Sequence, residues 1–173
     1  MIKLKHLLFI VMIISGLSCQ SQTDNRGYIV EIGDKAPLFE ATLANGETFR
    51  LEENRGKVVM LQFTASWCGV CRKEMPHIES EIWQPYKDKG LVVIGIDRDE
   101  PIETVKKFAK ETGISYPLAL DPGAEIFQLY AEKKAGVTRN VLIDREGKIV
   151  FLTRLFNEEE FSGLVEKIDQ LMK

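Results

Sequence analysis

An α/β fold with a central mixed β-sheet and helices on both faces is predicted by three observations in this chain of 173 residues. Two almost continuous apolar runs, Val58-Val59-Met60-Leu61-Gln62-Phe63 and Leu91-Val92-Val93-Ile94-Gly95-Ile96-Asp97, have the composition of strands buried on both faces. Each run is followed by apolar residues at helical spacing, the pattern of strand-helix crossovers. Toward each end of the chain lies an antiparallel hairpin pattern, which makes the sheet mixed. With 45% hydrophobic and 28% charged residues, the chain has enough apolar material for one core.

The elements follow in order. Leu38 to Leu43, the turn pair Asn45-Gly46 and Glu47 to Leu51 predict an N-terminal β-hairpin, because Asn-Gly readily takes the positive φ angles of a tight turn. Gly56-Lys57 leads into the first buried strand. From Cys68 onward Met75, Ile78 and Ile82 mark a helix that carries on toward Trp83, with Pro85 and Gly90 as its stop and a kink at Pro76. After the second buried strand Pro101 opens a helix with Ile102, Val105, Phe108 and Ala109 on one face and Gly113 as its end. Tyr116 to Leu120 predicts a short strand, and Asp121-Pro122-Gly123 a brief helix through Tyr130. Val141 to Asp144, the turn Arg145-Glu146-Gly147-Lys148 and Ile149 to Leu152 form the second hairpin. Asn157, with Glu160 three residues on, caps a final amphipathic helix carrying Phe161, Leu164, Val165, Ile168, Leu171 and Met172. No internal repeat or low-complexity tract interrupts this order.

A leader precedes the domain. Lys3 and Lys5 stand before the apolar run Leu7 to Ile14, the pattern of an export signal. Eight residues at ~1.5 Å rise span about 12 Å, against ~30 Å for a hydrocarbon core, so the run is too short to cross a membrane. Ser15-Gly16-Leu17-Ser18-Cys19 and the polar residues after it resemble a bacterial lipoprotein signal, with Gly16 in place of the usual leucine. The expected organisation is a signal peptide over 1–18, a tether over 19–30 with Cys19 lipidated, and a domain over 31–173. An ordinary secretory leader with an incidental Cys19 is the plainer alternative. The formal charge of −3, more acidic once Lys3 and Lys5 are removed, excludes a nucleic-acid partner, which needs a basic face.

With Cys19 assigned to the leader junction, one cysteine pair remains, Cys68-Gly69-Val70-Cys71, at the carboxyl end of the first buried strand. Open α/β sheets place their sites there. Two thiols and one mature histidine, His77, fall short of the four ligands of a structural zinc site, and an iron–sulfur centre fails on the same count. A permanent disulfide closing so small a loop would stabilise weakly. A redox-active pair is the stronger reading. Cys68 sits where the helix begins, so free backbone N–H groups and the helix dipole favour its thiolate, and it is the expected attacking sulfur. Cys71, one turn inside, is the expected resolving thiol.

Trp67-Cys68-Gly69-Val70-Cys71-Arg72-Lys73-Glu74-Met75-Pro76, together with Gly90 to Asp97 and the Leu142 to Lys148 hairpin, resembles the thioredoxin superfamily. More narrowly it resembles the membrane-anchored thiol-disulfide oxidoreductases of the TlpA/ResA type, over about residues 31 to 173. The resemblance implies a thioredoxin-like fold in which the strand and helix between Tyr116 and Tyr130 are a βα insertion. It implies an exported enzyme of the cell envelope, anchored at Cys19 and facing the periplasm or exterior, that reduces protein disulfides and draws electrons from a membrane donor. No bound cofactor or metal is implied, and a monomer is expected. Gln62 stands where thioredoxins carry a buried Asp, so the proton of Cys71 needs another acceptor. The resemblance points to Glu74, at i, i+3 from Cys71 and expected to be half-buried with a raised pKa. Thr138 stands where the family places a cis-proline. The wall facing the cysteines therefore departs from the pattern, and a trans bond is expected there because a cis non-proline bond costs ~3 kcal/mol. The substrate-contact set is Trp67, Gly69, Val70, Val137 and Thr138.

Two alternatives accompany this reading. A peroxiredoxin-like thiol peroxidase is suggested by Arg139, one residue off the activating arginine of that family, but Thr64 lies four residues before Cys68 rather than three, and Ala65 takes the needed place. A non-enzymatic binding module using the same face is the other. His77 is expected to be a partly exposed helix residue, Arg72 and Lys73 to lie on a solvated face, and Trp67 to cover the site and offer an apolar surface.

Overall fold

The computed structural model describes residues 26–173, so the signal peptide 1–18, Cys19 and most of the tether lie outside the described residues. Strands β1 (Glu40–Thr42) and β2 (Thr48–Arg50) form the expected N-terminal hairpin, with Gly46 at φ 90° in its turn. The central sheet contains β3 (Val59–Thr64), β4 (Val92–Arg98), β5 (Leu118–Asp121), β6 (Arg139–Ile143) and β7 (Ile149–Arg154), in the order β5-β4-β3-β6-β7. β3, β4 and β5 run parallel, while β6 and β7 are antiparallel, giving the mixed sheet that the two run types predict. Every residue of β3 is buried, the polar Gln62 and Thr64 included, in keeping with its almost continuous apolar sequence.

Among the described residues the α-helical segments are α1 (Gly69–His77), α2 (Gln84–Tyr86), α3 (Ile102–Thr112) and α4 (Glu158–Met172). Between α1 and α2 the chain continues as a π-helical stretch, Ile78–Trp83. Pro76 lacks the N–H that would close an α-turn, and the wider helix begins two residues later. Pro85 does not end the helical stretch as expected. It occupies the first turn of α2, where a missing N–H is tolerated, and the stretch stops at Gly90 with φ 94°. Asn157 caps α4 by accepting from the N–H groups of Glu159 and Glu160.

α3 and α4 pack against the α1 to α2 stretch: the Arg72 guanidinium lies 4.9 Å over the Phe108 ring, and His77 and Phe161 rings are 6.0 Å apart. The brief helix expected through Tyr130 is instead two single 3₁₀ turns, Pro122–Ala124 and Phe127–Leu129, separated from regular helix by Gly123 at φ 71°. These turns cover the other face, with Phe63 of β3 5.5 Å from Phe127 and 5.4 Å from Tyr130, and the hairpin closes over them through Phe39 against Tyr130.

The tether was expected to run to residue 30, but its last residues belong to the packed domain. Tyr28 and Val30 are buried, the Tyr28 hydroxyl donates to the carbonyls of Asn140 and Thr153, and Ile29 N–H donates to Tyr130 O. A tyrosine whose ring and hydroxyl both find partners is worth ordering, which composition alone did not disclose. Among the described residues no helix is long and apolar enough to cross a membrane.

Candidate active site

The site is assembled at the end of β3. Thr64 and Ala65 are buried, and Ser66 turns the chain by giving both its N–H and its hydroxyl to Glu100, each at 2.5 Å. Arg72, exposed on a solvated face as expected, also reaches back: its Nε donates to Ser66 O at 2.7 Å while Nη1 pairs with Glu111. A carboxylate and a guanidinium from two different segments thus fix the loop that carries Trp67 and Cys68. Trp67 is 65% exposed, an apolar surface held beside the first cysteine.

Cys68 is the N-cap of α1. Its extended φ/ψ of −86° and 102° leave its Sγ accepting the N–H of Cys71 at 3.1 Å. Cys68 and Cys71 are joined as a disulfide with Cα atoms 5.3 Å apart. Cys68 retains 8% of its surface and Cys71 none, so Cys71 is closed to approach from outside. A thiolate at Cys68 would sit at the positive end of α1 with a backbone donor already aimed at it.

One turn further, Glu74 is not half-buried as expected but 1% exposed. Asn140 Nδ2 donates to one carboxyl oxygen at 2.7 Å and Gln62 Nε2 to the other at 3.2 Å. Each amide is itself held, Asn140 by Thr153 Oγ1 at 2.9 Å and Gln62 by the Tyr116 hydroxyl at 2.7 Å. Burial pushes the Glu74 carboxyl up to about 7, and the two amide donors moderate that rise by favouring the charged form. A group that exchanges protons near neutrality therefore lies on the cysteine helix in a cage of amides. Gly95 makes room for the cage: a Cβ there would collide with Leu118 Cδ2 and sit 3.4 Å from the Tyr116 ring.

Facing the pair, Val137 and Thr138 are each 2% exposed, so neither side chain is open to solvent. Among the described residues no peptide bond is cis, and Thr138 follows Val137 in trans, as expected for a residue without the proline ring. Its hydroxyl oxygen stands 3.1 Å from Cys68 Sγ and 3.2 Å from Cys71 Sγ. Gly69 and Val70, at the start of α1, flank Cys68. Arg139 points the other way. Its guanidinium donates to Gly136 O and Arg26 O and lies 4.5 Å over the Tyr28 ring, so it anchors the N-terminal segment rather than activating a sulfur. His77 is half-exposed and paired with Glu81 at 2.7 Å, in keeping with an ordinary helix position.

A second buried acid lies nearby. Asp97, paired with Thr64 across β3 and β4, is fully buried, and its carboxyl oxygens receive no donor from any described residue. Burial, then the adjoining Glu100 and Asp121 charges, hold its carboxyl up at about 8.

The sequence disclosed Cys68, Cys71, Glu74, Gln62 and Thr138 as positions of interest. It did not disclose Asn140, Tyr116 or the Ser66-Glu100-Arg72 brace, because those residues meet the site only through sheet register. The pairing Gln62↔Asn140 in β3 and β6 is what brings both amides to one face. Asn140 follows Thr138 and Arg139 just before the apolar run Val141 to Ile143, so nothing in the local pattern marked it.

The chain matches the AhpC/TSA family over residues 32–152. The thiol-disulfide oxidoreductase ResA of Bacillus cereus is 37% identical over 154 residues, which are 86% of this chain and 87% of that protein. Among solved structures, a candidate protein disulfide isomerase from Bacteroides thetaiotaomicron is 65% identical, with a TM-score of 0.83 over 84% of this chain and 92% of that one. A candidate thiol:disulfide interchange protein DsbE from Chlorobium tepidum is 30% identical, with a TM-score of 0.74 over 83% and 99% of the two chains.

Proposed function

We propose that this chain, which belongs to the AhpC/TSA family and is a ResA-like thiol-disulfide oxidoreductase of the thioredoxin superfamily, reduces disulfides of protein substrates outside the cytoplasm. The observation that carries the direction of attack is the unequal burial of the pair, with Cys68 reachable at the start of α1 and Cys71 sealed beneath it.

In the reduced protein the Cys68 thiolate attacks one sulfur of a substrate disulfide. That bond breaks, the first substrate sulfur leaves as thiolate, and a mixed disulfide forms at Cys68. Cys71 then loses its proton to Glu74 and attacks Cys68 Sγ. The second substrate sulfur leaves, the substrate has gained two electrons, and the Cys68–Cys71 disulfide remains. A carboxyl that titrates near 7 takes up the proton and returns it without a large driving force in either direction. Trp67, Gly69 and Val70 offer the surface against which a substrate segment lies, and Val137 and Thr138 form the wall opposite. The orientation of Arg139 favours this reading over a peroxidase, since its guanidinium is committed to Arg26 O, Gly136 O and the Tyr28 ring.

The leader over 1–18 and Cys19 are read as an export signal and a lipid attachment point, which puts the enzyme in the cell envelope, facing the periplasm or exterior. A monomer there needs a membrane protein to resupply two electrons per cycle. Trapping tests the assignment: Cys71→Ser should accumulate mixed disulfides with substrate proteins, resolved by dithiothreitol, and Cys68→Ser should not. Accumulation on Cys68→Ser instead would reverse the two roles.

A further inference from the structure

We infer that Thr138 is a catalytic residue, its hydroxyl donating a hydrogen bond to the Cys68 thiolate and accepting one from the Cys71 thiol in the reduced pair. This rests on the reading of Cys68 as the attacking sulfur. Thr138 Oγ1 is nearly equidistant from the two sulfurs, at 3.1 Å and 3.2 Å, and it is buried. Among the described residues the two sulfurs are its only side-chain hydrogen-bond partners, so its hydrogen has no oxygen to turn to. The residue is also fixed from behind, because its carbonyl accepts from Leu155 N–H at 3.1 Å and from Arg154 Nη1 at 3.2 Å.

The consequence follows from how unequal the two redox states are as acceptors. A disulfide sulfur is neutral and a weak acceptor, so the hydroxyl gains little there. Reduction breaks the S–S bond, consumes two electrons from the reductant and one proton, and leaves a thiolate at Cys68 and a thiol at Cys71. The hydroxyl then makes a charge-assisted bond to one sulfur and accepts the S–H of the other. Among the described residues the only other donor to Cys68 Sγ is the Cys71 N–H. Thr138 therefore favours the reduced state and the thiolate together. The charged groups round the pair are Arg72 and Glu74 on α1, Glu100 from the loop between β4 and α3, where it holds the Ser66 turn, and Arg154 on β7, and the substitutions below leave all of them in place.

The test compares wild type with Thr138→Val, which keeps the shape and removes the hydroxyl, and Thr138→Ser, which keeps the hydroxyl. Two quantities are read: the pH dependence of Cys68 alkylation in the reduced protein, and the disulfide equilibrium against a dithiothreitol redox buffer. Thr138→Val should carry about tenfold less thiolate at a given pH below the Cys68 midpoint. Its equilibrium should move about tenfold toward the disulfide, a fall of ~30 mV for a two-electron couple. Thr138→Ser should follow wild type in both. If Thr138→Val fails to fold, Thr138→Ala carries the same expectation. A hydroxyl-free variant that matches wild type in both readouts overturns the proposal. If wild type instead alkylates first at Cys71, the assignment of the attacking sulfur fails, and the redox equilibrium alone then decides the role of Thr138.

Discussion

Replacing Glu74 by Gln removes the one carboxyl in the amide cage and should alter both the stability and the chemistry of the protein in a pH-dependent way. The wild-type carboxyl is raised from an ordinary 4.5 to about 7, chiefly by burial. The native state therefore holds its proton more tightly than the unfolded chain does. Stability from this group is full below the unfolded value, falls as pH rises toward 7, and levels off above it. At ~1.4 kcal/mol per pKa unit, the loss between pH 5 and pH 8 is about 2.5 kcal/mol. For a domain of this size that is roughly 5–10 °C in Tm. Glu74→Gln is neutral at every pH and should not show this decline. Its amide fits the cage because Asn140 Oδ1, which has no donor among the described residues, can accept from it once the Asn140 amide turns. The assay is thermal unfolding of the oxidised protein at pH 5 and pH 8, read as the wild-type change minus the variant change, so that other titrating groups cancel. A parallel measurement follows resolution of a preformed Cys68 mixed disulfide against pH. Wild type should inflect near pH 7, while Glu74→Gln should lose the inflection and resolve ~100-fold more slowly. A variant that keeps both the stability slope and the inflection would refute the role of Glu74 as proton acceptor.

Three further outcomes follow from the same geometry. Asn140→Ala removes the shorter of the two donors to Glu74, so the carboxyl should titrate higher and the pH midpoint of resolution should rise, measured on the same mixed disulfide. Gly95→Ala drives a methyl into Leu118 beside the Tyr116–Gln62 hydrogen bond and should cost about 1–3 kcal/mol in chemical denaturation. Asp97→Asn removes a carboxyl held up at about 8, so the variant should gain stability on wild type as pH rises toward 8 and differ little near pH 4. Tm against pH measures this.

The strand-turn-helix around the cysteines was legible because three local signals agree there. A buried apolar run, the Cys-x-x-Cys spacing and helical periodicity through Met75 and Ile78 all point to one arrangement. Glu74 was legible as a position, but its burial was not. Whether a helical glutamate faces water depends on Gln62 and Asn140 presenting donors from two strands, and their pairing is a matter of register across 78 residues of chain. Thr138 could be read only as the lack of a proline, since its hydroxyl meets the sulfurs by folding and not by sequence proximity. The π-helical passage after Pro76 and the tolerance of Pro85 were hidden for a related reason. Proline forbids one hydrogen bond, and a helix that widens or restarts can do without it. Tyr28 shows the limit of composition, as a polar stretch preceded it and only its contacts with Asn140 and Thr153 reveal that it belongs to the domain.

The central claim is that exchange of electrons runs through Cys68, the less buried cysteine of the Cys68–Cys71 pair. Reduction of insulin disulfides by dithiothreitol in the presence of wild type or Cys68→Ala tests it most directly. Wild type should accelerate the reaction and Cys68→Ala should fall to the rate without protein. Equal acceleration by the two would contradict the account.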